Sequence, residues 1–354
     1  EATVAQIQES LVPDVIEEDW KKWWADAKKE MKSDGHFQLP VKKTEPIVYH
    51  AEELSPADKL MSNIRDAKGL KAQLAAASEL CKGIDDVENK EAVLDEVVAI
   101  LNDAIKNHLT FKPSLALEAV LLRDAIRTQS GVQPQEEELI ANDIFEKADN
   151  LAGVIEGLSA AKQKLALEAF RQAHPDSWVD TYLKLINETG LRLVGELVQI
   201  LIDTGHFDKF KGNLTKLISK REASTDLMLW MGKNRSDSFA DILGPEVLRA
   251  MMAAIENDRF EDRKTSKLGD LILSDQELIT DLIGSADIEL VEDLVRALQA
   301  TNCFDDMDKR SLLGRIVKEF PSIQTMISGD QAKEDNALIV SWPSLERRKL
   351  EYEE

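Results

Sequence analysis

The residues of this sequence best suited to proton transfer or metal binding near neutral pH are five histidines, His36, His50, His108, His174 and His206. Their spacing serves neither use. No two stand at i, i+4 and none neighbours a cysteine, so the ligand patterns of zinc and the pairing of an activated nucleophile are missing. Cys81 and Cys303 are too far apart in sequence to suggest a disulfide framework, which fits a reducing, cytoplasmic setting. Two acidic clusters, Asp85, Asp86, Glu88 and Asp305, Asp306, Asp308, have the donor chemistry for a divalent cation. The cluster Asp305, Asp306, Asp308 lacks the glycine and terminal glutamate offsets of a calcium loop. Both read better as helix N-termini, where carboxylates accept free backbone amides. No glycine-rich phosphate loop occurs. The expectation is a chain that is not an enzyme, with no catalytic residue, no metal ligand and no cofactor.

What remains is a surface chemistry. The stretch from Trp20 to Lys43 gathers three of the six tryptophans and seven lysines against three acids, inside a chain of net charge −22. Trp20, Trp23 and Trp24, continued by Ala27 and Met31, describe one face of a helix. Core packing is the more usual use of such a stripe. The alternative is a docking face, in which large aromatics supply contact area and Lys21, Lys22, Lys28, Lys29 and Lys32 pair with an acidic protein or a phosphate backbone. These eight residues are the candidate partner-docking set. The strongly acidic remainder argues against extended contact with nucleic acid.

The elements that must carry this surface read as helices. Leu94, Val97, Val98 and Leu101 repeat the spacing of one apolar helical face, as do Val194, Leu197, Val198, Leu201 and Val291, Leu294, Val295, Leu298. Residues 191 to 202 carry only Arg192 and Glu196 as charges, which predicts a helix buried on most sides. Starts are signalled by Ser55 with Pro56, by Pro113, Pro134, Pro175 and Pro245, and by a capping box from Ser274 to Glu277. Stops are signalled at Gly83, Gly131, Gly190, Gly205, Gly232 and Gly284. Phe207, Phe210, Trp178 and Trp230 fall near helix ends, where they are expected to staple neighbouring helices together. Strand signals are confined to PIVY (46 to 49) and ALIVSW (337 to 342), neither of which calls for a sheet partner in this chain.

Short connections between many helices predict an all-α fold with little or no sheet, an irregular α-solenoid of stacked helical hairpins of HEAT or armadillo-like character. The expected organisation is a Trp/Lys-rich N-terminal helix and extended segment (1–55), a helical-repeat domain (56–328), and a linker leading into a truncated helix (329–354). No apolar run is long enough to cross a membrane and no secretory signal opens the chain. Glu1 in place of Met predicts a processed or excised piece.

Three segments carry a resemblance: EEDWKKWWADAKKEMKSDGHFQLPVKKTEPI near the start, LMLWMGKN inside, and SWPSLERRKLEYEE at the end. Together they resemble the helical region that precedes the catalytic module in large bacterial proteins of the Gre transcript-cleavage factor family. The resemblance implies an interaction region that docks to RNA polymerase or another transcription component. Family members of ordinary length pair a coiled coil, whose acidic tip serves RNA cleavage, with an FKBP-like domain. No such tip occurs here, so none of the family's catalytic positions is carried over, and residues 345–354 resemble the first turns of that coiled coil. A helical-repeat scaffold unrelated to transcription is the alternative.

Overall fold

The computed structural model describes residues 2–328 apart from 13, 17–18, 41–43, 52–54, 85–88, 132, 135–136 and 262–265. The acidic cluster at 85–88, the strand signal at 337–342 and the C-terminal linker and helix lie outside the described residues. Eighteen α-helices are described, with a single two-stranded antiparallel ribbon. The fold is all-α. The helices run from 6 residues (α8, Leu151–Glu156) to 19 (α5, Lys90–His108), with no fixed repeat length. The principal packing pairs join helices no more than three apart in chain order. Two compact units divide the chain at His174 and Pro175.

In the first unit, α5 and α6 (Pro113–Ser130) form the central hairpin. Leu94, Val97, Val98 and Leu101 are buried as their spacing predicts, and α6 buries most of its circumference, from Ala116 to Ile126. That circumference includes Arg123, which is 1% exposed. Its guanidinium donates to Asn102 Oδ1 and to the Leu139 carbonyl at 2.9 Å each, and to Asp124 Oδ1 from both Nε and a terminal nitrogen. A buried cation is tolerated only with such partners, and these pin the connection that leaves α6.

In the second unit, Val194, Leu197, Val198 and Leu201 of α11 (Leu191–Asp203) and Val291, Leu294, Val295 and Leu298 of α17 (Ile288–Ala300) are all buried. The same unit holds an aromatic cluster. Phe210 of α12 (Phe207–Lys220) stands 5.8 Å from Trp230 of α13 (Thr225–Lys233) and 6.3 Å from Phe239, with both pairs close to perpendicular. Trp178 meets Tyr182 and His206 edge-on. The stapling expected of these rings is what they do.

Several boundary signals were used otherwise. Gly83, Gly131 and Gly284 are C-caps, and Gly205, at φ 76, follows the last turn of α11. Gly190, in contrast, is the N-cap of α11, and Gly232 lies inside α13. A Cβ on Gly232 would come within 2.6 Å of Leu271 Cδ2, so the glycine there serves close helix approach rather than a stop. The capping box from Ser274 to Glu277 does not form. Asp275 displaces it, its Oδ1 accepting the amides of Glu277 at 3.0 Å and Leu278 at 3.1 Å. Asp305 caps α18 (Asp306–Glu319) through the amide of Asp308, as expected. PIVY does take a partner: Val48–Tyr49 (β2) pairs with Phe37–Gln38 (β1), and Ile47 bridges Ala2.

Phe210 is completely buried, so Phe210→Ala leaves a cavity and is expected to cost about 3–5 kcal/mol in urea unfolding. Asp275 yields a pH-dependence. Burial pushes its pKa up, but the Arg235 guanidinium at 3.0 Å and the two amides outweigh this and hold the carboxyl below the ordinary aspartate range. A depressed folded-state pKa supplies stability that is present above the unfolded value and lost as pH falls through the folded one. Thermal melts below about pH 4 should show this acid loss in the natural chain and less of it in Asp275→Asn.

Candidate docking surface

The helix bearing the tryptophans, α2, runs from Trp20 to Ser33. Asp19 starts it, its carboxylate accepting the Lys22 amide at 3.4 Å, and Asp34 ends it by donating its own amide to the Glu30 carbonyl. Trp20 stacks on both of the other indoles. Trp20 lies 5.4 Å from both Trp23 and Trp24, with interplanar angles of 26° and 14°. Trp23 is 39% exposed, while Trp20, Trp24, Ala27 and Met31 are half-buried. No side chain of α2 among the described residues is buried. The stripe therefore forms no core of the kind built around Phe210. It is an aromatic cluster with part of its surface in water.

The lysines surround it. Lys21, Lys22, Lys28 and Lys29 are all exposed, and Lys32 continues the helix, its side chain outside the described residues. Chemically the surface offers indole faces, indole N–H donors and ammonium groups, which is equipment for binding. The five histidines all stand in loops or at helix ends. Among the described residues no group of three His, Cys, Asp or Glu side chains is placed to hold a metal ion.

What positions α2 is mostly polar. After the buried Gly35 the chain enters the β1–β2 ribbon, where Tyr49 packs against Phe37 and His36. The Gln38 amide nitrogen donates to Ser62 Oγ at 2.6 Å and to Asp66 Oδ2 at 2.7 Å. Its oxygen is then the acceptor for His50, 3.1 Å away, which fixes the proton on His50 Nε2. The same logic puts a proton on His36 Nδ1, which faces the His50 carbonyl at 3.1 Å. Ser62 and Asp66 belong to α3 (Pro56–Arg65) and its C-cap. Lys59 of α3 reaches the carbonyl of Asp34, and Lys68 pairs with Glu45. Buried apolar support is sparse by comparison, with Ile16 and Ile47 the buried aliphatic side chains among the described residues before α3. Gln38, Ser62, Asp66 and the two histidines escape a reading of the sequence, because their partners lie 12 to 28 residues apart with no periodic signal.

Residues 1–54 match the family model of the GRAD helix-turn-helix domain, in keeping with the order α1 (Val4–Leu11), connection, α2. Residues 56–309 match the model of the GreA-associated C-terminal domain, which covers more than half of the chain. The chain belongs to the GreA-associated family. It is also similar to the transcription elongation factor GreA of Chlamydia trachomatis serovar D, 25% identical over 265 residues. That alignment takes in 70% of this chain and 35% of the relative, so the chain spans about a third of that protein's length. No solved structure matches. The likeness seen in the tryptophan segment and in LMLWMGKN is thus a relation to GreA-associated helical proteins, a link to transcription elongation factors. No described helix is long and apolar enough to cross a membrane.

Gln38→Leu removes the relay between the ribbon and α3 at its centre. Amide hydrogen exchange over residues 36–50 is expected to accelerate about tenfold, from the loss of hydrogen bonds worth about 1 kcal/mol net. Exchange in α5 and α6 should stay unchanged.

Proposed function

We propose that this chain is the non-catalytic interaction region of a Gre-type transcription elongation factor, acting in the cytoplasm, and that α2 docks it to RNA polymerase or another transcription component. The observation that carries this reading is the half-exposed indole stack. Trp20, Trp23 and Trp24 are pre-arranged by contact with one another, so burying them against a partner orders little that is not already ordered. Tryptophan is enriched at interface hot spots, where truncation costs about 2 kcal/mol or more. Lys21, Lys22, Lys28, Lys29 and Lys32 form a charged rim that speeds encounter with an acidic patch. The family relation supplies the transcription context.

The helix-turn-helix match and the lysines favour one second reading, in which α2 follows a phosphate backbone. Phosphate contact has its own signature, a slope of log affinity on log salt near four when about four phosphates are neutralised.

The test uses the full chain and purified core RNA polymerase. Trp23→Ala with Trp24→Ala should weaken binding by about thirtyfold or more while shifting the melting temperature little, since neither indole is buried. The chain should not stimulate RNA cleavage. Unchanged binding accompanied by a large fall in melting temperature would return the stripe to a packing role.

A further inference from the structure

The second unit carries a basic surface that neither the family descriptions nor the docking of α2 uses. Helix α12 has four lysines, Lys209, Lys211, Lys216 and Lys220, against Asp208 alone. Lys211 is occupied, paired with Asp241 at 2.6 Å and standing over the Phe207 ring. Lys209 and Lys216 are exposed, seven residues apart on one helical face, and make no ion pair among the described residues. In the same unit the arginines at 235, 249, 259, 296 and 315 all bond acids or carbonyls. Lys209 and Lys216 instead present their ammonium groups at the surface on one face of α12.

They face a groove. Helices α10 (Trp178–Glu188) and α12 line an open groove of about 610 Å³, each contributing residues at i, i+3, i+4, i+7 and i+8. From α12 come Lys209, Gly212, Lys216 and Leu217, and from α10 come Leu183 and Lys184. The stripes run about 12 Å along each helix. Gly212 opens the α12 wall, since a Cβ there would meet nothing within 4 Å. Leu183 and Leu217 are half-buried and form an aliphatic floor. Asn187 donates to the Glu222 carbonyl and accepts the Ser224 amide, and Asn213 donates to the Leu183 carbonyl. Asp180 and Glu188 complete the lining, Glu188 paired with Lys184 at 3.6 Å.

The geometry points to a docking groove for a short acidic, leucine-bearing segment of a protein partner. Its carboxylates would meet Lys209 and Lys216 while an aliphatic side chain enters the gap at Gly212 and rests on Leu183 and Leu217. A nucleic-acid strand fits worse on three counts. No aromatic side chain lines the groove to stack a base. Asp180 and Glu188 repel an unbroken row of phosphates, whereas a peptide spaces its charges. The net charge of −22 opposes a long polyanion more than a short segment. The groove belongs to the second unit alone and stands or falls independently of α2.

The test is fluorescence anisotropy of the full chain with a labelled peptide of 14 residues built from Glu, Leu and Ala at helical spacing. Saturable binding that weakens as salt rises is expected. Lys209→Glu with Lys216→Glu should weaken it at least tenfold, and Lys220→Glu, outside the groove, should leave it unchanged. Gly212→Leu fills the gap and replaces a mid-helix glycine, so it should abolish binding without lowering the melting temperature. A peptide with Ala in place of Leu should bind at least tenfold more weakly. The proposal is overturned by no saturable binding, by equal binding to the Lys209→Glu, Lys216→Glu chain or to Gly212→Leu, or by a dT oligonucleotide that binds through the same lysines more tightly than the peptide.

Discussion

A helix that leaves tryptophan in water must be held by something other than burial of its own apolar face, and here Gln38 is at the centre of what holds it. Its amide joins the ribbon that follows α2 to Ser62 and Asp66 of the first helical hairpin, and its oxygen orients His50. Each such bond contributes only about 1 kcal/mol net, somewhat more where a carboxylate accepts. With Ile16 and Ile47 as the buried aliphatic support, the N-terminal segment sits at the lower end of the stability range within its unit. The α5–α6 hairpin, with its apolar seam and clamped Arg123, sits at the upper end. A rigid hairpin pair thus carries a more loosely fastened, aromatic helix, an arrangement suited to engaging a partner's surface.

Local charge is most positive on two helices. The chain is strongly acidic, yet α2 and α12 are each locally basic. On a surface of mixed sign, exposed lysines contribute little to stability and more to partner choice and encounter rate. Two arginines of the second unit, in contrast, are used internally. Arg235 bonds Asp275, Asp281 and the Gly232 carbonyl, and Arg315 bonds carbonyls of residues 272, 273 and 275 at the end of α15 (Ser266–Ser274). The planar guanidinium suits multiple fixed acceptors, while the flexible ammonium groups stay at the surface.

The apolar stripes of α5, α11 and α17 were legible in the sequence because burial on one helical face has a period, and periods survive without knowledge of the partner. Helix α2 was legible for a cruder reason, a cluster of indoles and lysines contiguous in the chain. What escaped depends on tertiary approach. Gly232 reads as a stop until Leu271 is brought against it, and Ser274 reads as a cap until Asp275, held by Arg235, takes the amides instead. PIVY finds its partner only once residues 34–38 turn back. The Gln38 relay and the α10–α12 groove have no local signature, since the first links residues far apart and the second exists only where α10 lies beside α12.

The central claim, that the indoles of α2 face water in the free chain and are covered by a transcription partner, is tested most directly by hydroxyl-radical footprinting of the full chain with and without core RNA polymerase. Trp178, 7% exposed, is the internal reference for a buried indole. Oxidation of Trp20, Trp23 and Trp24 well above that of Trp178 in the free chain, falling toward it in the complex, is the expected result. Oxidation as low as Trp178 in the free chain, or unchanged when polymerase is added, would contradict the claim.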